Sequence, residues 1–215
     1  MTQTIRVMLV DDHALVRGAL GERLGREPDL NVVGTAGSAD EALEIAPAAA
    51  PDVVLMDIDM PGRTCFDAAQ ALMAAAPRLR VIFLSAFLHD WYIEQAMLMK
   101  AGGYLTKSET PEVVIEAIRA VSGGGTFFSD QVRSRLTDNG HGAAGGRPRA
   151  TTLTVREIEV LRYLARGLSK KQIATTMHLS VKTVDRHTAN LMNKLDIHDR
   201  VELTRYAIRE GIAEP

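Results

Sequence analysis

Apolar and polar positions fall in alternating blocks over the first 122 residues. Short apolar runs at 5–10, 31–36, 53–57, 81–85 and 103–106 read as strands, and runs such as Val53-Val54-Leu55-Met56 are apolar on both faces. That is the pattern of strands covered on both sides. Between them, helical periodicity covers about 13–26, 38–49, 65–76, 89–101 and 110–122. Ser38 with Glu41 three residues on fits a capping box, and Thr110-Pro111 fits an N-cap followed by Pro at the first helical position. Strands alternating with helices predict βαβ units, and so a doubly wound, five-stranded parallel sheet.

The pattern changes after Gly123-Gly124-Gly125. A short segment near 129–136 is a helix candidate, and Thr137 to Ala150 holds four glycines in fourteen residues with Pro148, which reads as a flexible linker. From Leu153 on the periodicity is helical only, at about 154–166, 170–177, 181–195 and 199–212. The expected organisation is an α/β domain over 1–122, a short helix and linker over 123–150, and a small all-α domain over 151–215.

Polar residues stand where the apolar runs end: Asp11-Asp12, Asp57, Ser85 and Lys107. Parallel strands would bring all five to one sheet edge, where ligands of doubly wound folds bind. Three carboxylates together repel one another unless a cation joins them, and Mg²⁺ is a hard ion that carboxylates share with phosphates. Each residue alone has a plainer reading. An Asp pair after a strand can cap the next helix, and a lysine after a strand can be solvated surface.

Composition narrows the class. The chain has 215 residues, 46% of them hydrophobic, and no apolar run of membrane-spanning length. Its one cysteine, Cys65, excludes an internal disulfide, so a reducing cytoplasmic setting is expected. Residues 1–130 carry 10 Lys and Arg against 18 Asp and Glu, whereas 131–215 carry 15 against 9. An acidic half joined to a basic half suggests a cation-binding signalling module attached to one that meets a polyanion.

The stretches Val10-Asp11-Asp12-His13, Asp52 to Gly62, Leu84-Ser85-Ala86 and Gly103-Tyr104-Leu105-Thr106-Lys107 together resemble the receiver domains of two-component response regulators, over residues 4–122. The resemblance implies a flavodoxin-like fold and Asp57 as acceptor of a phosphoryl group from a sensor histidine kinase. It implies Mg²⁺ held by Asp11, Asp12, Asp57 and the Asp59 backbone carbonyl. Lys107 would pair with a carboxylate and then with phosphate, and Ser85 and Tyr104 would form a switch in which the hydroxyl moves to the phosphate and the ring follows inward. Cys65 and Lys100 stand where glycines are usual, and Ser108 where many receivers have proline. Cys65 reads as a tolerated small residue rather than a redox sensor. Phe87, apolar at a position that tunes phosphoryl lifetime in the family, implies slow self-hydrolysis. An enzyme reading is weaker. Asp57-Ile58-Asp59 looks like the Asp-x-Asp of haloacid-dehalogenase-type phosphatases, but it lies on the third strand and leaves Asp11-Asp12 unexplained.

In the basic half, Gly167 to Ala174 and Leu179-Ser180 lead into Val181-Lys182-Thr183-Val184-Asp185-Arg186-His187. Two helices joined by a short turn match a helix-turn-helix, with Ile173, Ala174, Val184, Leu191 and Leu195 as core, although any three-helix bundle shows such periodicity. With Leu153 to Leu161, Asn190 and Lys194, the segment resembles the LuxR-type helix-turn-helix of the NarL/FixJ class. That implies a major-groove helix at about 181–195 with Lys182, Thr183, Arg186, Asn190 and Lys194 facing DNA, lysines on phosphates and Arg186 on a base. Asp185 sits where lysine is frequent. His187 is equally suited to phosphate contact or to packing. Val201, Thr204, Ile208 and Ile212 form a stripe that in this family pairs two DNA-binding domains, so a phosphorylation-dependent homodimer on an inverted repeat is expected. Packing within the domain is the other reading of that stripe. The implied protein is a transcription regulator and not an enzyme; the competing expectation is a constitutive DNA-binding protein whose receiver is a dimerisation scaffold.

Overall fold

The computed structural model describes residues 4–86, 88–138 and 153–213. It divides into two compact units, residues 1–139 and 140–215. Among the described residues no helix is long and apolar enough to cross a membrane.

The first unit is a parallel sheet of β1 (Ile5–Val10), β2 (Leu30–Ala36), β3 (Val53–Asp57), β4 (Arg80–Ser85), β5 (Gly103–Thr106) and β6 (Phe127–Phe128), in the order β2-β1-β3-β4-β5-β6. Its helices are α1 (Ala14–Leu24), α2 (Ala39–Ala49), α3 (Cys65–Ala75), α4 (Asp90–Leu98), α5 (Pro111–Ser122) and α6 (Asp130–Asp138). Every residue of β3 is buried, as a strand covered on both faces requires. On one face Leu9, Leu55, Ile82 and Leu105 join Leu24 of α1 and Ile115 and Ile118 of α5 in one core. The intervening Phe83 packs on Phe66 of α3, ring centroids 4.8 Å apart, and Phe66 in turn meets Trp91 of α4.

Two details, the strand count and the start of α2, correct the expectations. The sheet has six strands rather than five, because Phe127 and Phe128 pair parallel with Gly103 and Tyr104. A Cβ at Gly103 would run into the Phe127 carbonyl, so glycine is what lets this edge close. At α2, Ser38 accepts from Glu41 N at 3.2 Å, but the Glu41 carboxylate reaches Gly37 N at 2.6 Å instead of closing a capping box on Ser38. Thr110 is the N-cap of α5 with Pro111 in its first turn, as expected, although its side chain makes no cap bond. Lys100, in place of the usual glycine, takes a left-handed φ of 58°, a conformation that costs an L-residue roughly 1 kcal/mol.

The second unit holds α7 (Val155–Ala165), α8 (Lys170–Thr176), α9 (Val181–Leu195) and α10 (Arg200–Arg209). Ile173, Ala174, Val184, Leu191 and Leu195 are all buried, as the helical spacing predicts, and Leu203 and Ala207 of α10 join them. Ser169 and Ser180 cap α8 and α9 by accepting from the backbone N–H three residues on. Ile212 departs from the predicted surface stripe: it lies beyond the end of α10 and is fully buried. The Gly-rich linker falls largely on residues 139–152, outside the described residues, as does Phe87.

Candidate functional site

Because the strands are parallel and in register, their carboxyl ends share one edge. Asp57 closes β3, Ser85 closes β4, Lys107 follows β5 and Asp11 follows β1. The ammonium of Lys107 lies 2.8 Å from Asp57 Oδ2 and 2.8 Å from Asp11 Oδ2. The other oxygen of Asp57 accepts from the backbone N–H of Asp59 at 3.0 Å. Lys107 is not solvated surface here, since its side chain is only 18% exposed and bridges two carboxylates.

Asp57 is completely buried. Burial pushes its carboxyl up to about 6, although the nearby Lys107 charge, the Lys107 and Asp59 hydrogen bonds, and to the contrary Asp11, all act on it. Burial opposes the charge of Lys107, but Asp57 and Asp11 outweigh it and hold the ammonium above its ordinary pKa. The cation therefore stays charged beside the acceptor candidate.

His13, which the strand-end pattern does not assign to the site, belongs to the cluster. Ligand atoms of Asp11, Asp12, His13 and Asp57 lie within 4.8 Å of one another. His13 Nδ1 is 2.9 Å from Asp12 Oδ1 and 3.2 Å from Asp11 Oδ1. His13, not either aspartate, occupies the N-cap of α1, so helix capping does not account for the Asp pair. Asp11 Oδ1 accepts from His13 N at 2.8 Å, and Arg17 donates to the Asp11 carbonyl. The oxygen-rich set of Asp11, Asp12 and Asp57 suits a hard divalent cation.

Ser85 and Tyr104 are both fully buried. Burial raises the Tyr104 phenol above its ordinary pKa, and a hydrogen bond with Ser85 acts against that rise. The Tyr104 ring is buried beside Ser85 in this structure.

In the helical unit, α9 buries Val184, Thr188, Leu191 and Leu195 and leaves Lys182, Asp185, Arg186 and Asn190 exposed. Thr183 Oγ1 is 2.8 Å from Ser180 Oγ and is half-buried. Two predicted DNA-facing residues are held by partners. Lys194 Nζ lies 2.7 Å from Glu157 Oε2, and Lys170 Nζ lies 2.6 Å from Asp185 Oδ1. Burial, then the Arg186 charge, holds His187 below its ordinary pKa and so neutral at pH 7. On α10, Val201 is exposed while Thr204 and Ile208 are half-buried.

Comparison with known proteins agrees with this architecture. Residues 7–119 match the response regulator receiver domain, and residues 151–207 match the bacterial regulatory proteins of the luxR family. The transcriptional regulatory protein MctR of Rhizobium johnstonii is 38% identical over 97% of this chain and 95% of its own length. The transcriptional activator protein ExaE of Pseudomonas putida is 36% identical over 96% of this chain and 97% of its own. RcsB of Salmonella enterica serovar Typhimurium, solved on promoter rprA in the presence of phosphomimetic BeF3⁻, superposes with a TM-score of 0.70 over 95% of this chain and 98% of its own. Its 22% identity makes that a likeness of fold. The chain belongs to the response regulators that join a receiver domain to a LuxR-type DNA-binding domain and regulate transcription.

Proposed function

We propose that Asp57 is the phospho-acceptor of a switch that controls sequence-specific DNA binding. The observation that carries this reading is the Lys107 ammonium 2.8 Å from both Asp57 and Asp11, a cation fixed against a buried carboxylate. A carboxylate oxygen of Asp57 attacks the phosphorus of a histidine kinase's phosphohistidine. The P–N bond breaks, the imidazole keeps its electron pair, and an acyl phosphate forms. Asp11, Asp12, Asp57 and the Asp59 carbonyl would hold Mg²⁺, which screens charge on the phosphoryl oxygens. Lys107 then turns from carboxylate to phosphoryl oxygen, and Ser85 exchanges its Tyr104 partner for another of those oxygens.

The readout is duplex DNA, with α9 in the major groove, Arg186 on a guanine and Lys182 on phosphate. Lys194 is committed to Glu157 and contributes less to phosphate binding than Lys182. Val201, Thr204 and Ile208 of α10 pair two copies on an inverted repeat once Asp57 is phosphorylated. The protein works in the cytoplasm beside its sensor kinase.

The test uses a duplex that the full chain itself selects from a random pool. Mg²⁺ with acetyl phosphate is expected to tighten binding by at least about 10-fold, within the usual range of coupling between sites. Unchanged affinity would favour a constitutive DNA-binding protein with a scaffolding receiver. Arg186→Ala is expected to cost about 1–3 kcal/mol on the selected duplex and little on random DNA, whereas Lys182→Ala weakens both and lowers the salt slope by about one. Equal losses on both duplexes for Arg186→Ala would refute base reading.

A further inference from the structure

Asp185 is the single acidic residue of α9, on a helix that also exposes Lys182, Arg186 and Asn190. A carboxylate there is repelled by every phosphate that approaches. Its charge is answered from the neighbouring helix, where Lys170 at the start of α8 puts its ammonium 2.6 Å from Asp185 Oδ1. Both side chains are about half exposed, at 50% and 49%, so the pair is held weakly and its partners exchange readily. The contact with Lys170 sets Asp185 at the α8-side margin of the exposed face, and at about 100° per residue Arg186 lies further round that face.

We infer that Asp185 is a specificity residue that accepts a hydrogen bond from the N4 amine of a cytosine, with Lys170 as its exchangeable counter-ion. This rests on the reading of α9 as the major-groove helix. The chemistry selects cytosine among the bases. In the major groove cytosine offers an amine donor alone, adenine sets an N7 acceptor beside its amine, and guanine and thymine present acceptors. A carboxylate next to acceptors is left unpaired in a desolvated groove, so discrimination comes as much from rejecting the other bases as from attracting cytosine. When Asp185 turns to the base, Lys170 is released toward the phosphate backbone, which offsets the lost ion pair. Arg186 beside it reads guanine, so the two residues together specify neighbouring C·G and G·C pairs.

The experiment measures full-chain binding, in Mg²⁺ and acetyl phosphate, to the selected duplex and to every single-base-pair variant of it. For Asp185→Ala the expected result is a loss of discrimination of about 10-fold at one cytosine position, with the other positions kept and random DNA bound more tightly. Asp185→Asn, which keeps an acceptor but adds a donor, should admit other bases at that position. Lys170→Met should weaken all duplexes alike and leave the cytosine preference intact. If Asp185→Ala shifts all variants equally, or the position it relaxes is not a cytosine, the assignment is overturned while the DNA-binding reading stands. Wild type with no preference among the variants would overturn both.

Discussion

Asp57→Asn takes up no phosphoryl group, and at pH 8 without added Mg²⁺ it unfolds at a higher temperature than wild type. The first effect follows from chemistry, because an amide oxygen is too weak a nucleophile to form the acyl phosphate. The second follows from burial. The Asp57 side chain is inaccessible to water, and its carboxyl is pushed up to about 6 chiefly by that burial. In the unfolded chain an aspartate loses its proton near pH 3.9. Between about pH 4 and 6 the folded protein therefore binds more protons than the unfolded one, and stability falls as pH rises through that window. The shift corresponds to something on the order of 3 kcal/mol, absent below the window and full above it. Asn carries no charge to bury. Lys107 keeps Asp11 at 2.8 Å, so the substitution does not strand a buried cation. Melting curves with and without Mg²⁺ check both parts. The gap should narrow steadily as pH falls from about 6 toward 4, where folded Asp57 is protonated and the unfolded side chain begins to be, and also on adding Mg²⁺, which stabilises the wild type by mass action. A variant that melts below wild type at pH 8 would mean that the carboxylate stabilises the fold.

The same site shows what a one-dimensional pattern can and cannot carry. Asp57, Ser85 and Lys107 were legible because parallel strands put their carboxyl ends on one edge, so each position after an apolar run is a position in space. His13 stood in plain view directly after the Asp pair, but a lone histidine in a loop has no periodicity to mark it. Its place among the ligand atoms depends on how β1 leads into α1. The sixth strand escaped because two residues cannot alternate. The signal available was Gly103, which leaves room for the backbone at Phe127 to approach, with Phe127 N donating to Gly102 O at 2.9 Å.

In the helical unit the core followed from spacing, whereas the charges did not. Lys194 and Lys182 look alike in sequence, two lysines on one polar helix. One is solvated and the other is tied to a glutamate 37 residues earlier in the chain. Asp185 reads as an odd charge on a basic helix until Lys170 appears beside it. Long-range ion pairs depend on the packing of whole helices, which periodicity specifies only to a face. The stripe on α10 has the same limit. Ile212 fits its spacing but comes after the helix ends at Arg209, where the spacing no longer applies.

Glu157→Ala is expected to loosen the helical unit by about 1–3 kcal/mol, through the lost cap and the lost hydrogen bond to Lys194. Its side chain is 3% exposed and does two jobs with one oxygen. Oε2 accepts from Thr154 N at 2.8 Å, closing the capping box of α7, and from Lys194 Nζ at 2.7 Å, tying the end of α9 to the start of α7. Burial alone would raise its pKa, yet the Lys194 and Thr154 hydrogen bonds and the Lys194 charge outweigh it and the carboxyl lies below its ordinary value. The sign is the reverse of Asp57. A depressed carboxyl contributes stability that is complete above the unfolded pKa and is lost as pH falls through the folded one. Glu157→Gln separates the two jobs, since its amide oxygen still accepts from Thr154 N while the ion pair is gone, and it should lie between wild type and Ala. Amide hydrogen exchange reads the effect in place: α7 and α9 should exchange faster, and the β3 and β4 amides should not change. Fluorescence of Trp91, the only tryptophan and a core residue of the receiver unit, gives a second readout and should hold its unfolding midpoint. Unchanged exchange in α9 for Glu157→Ala would show that α9 is held by its apolar face alone, and Lys194 would then return as a candidate for the DNA backbone.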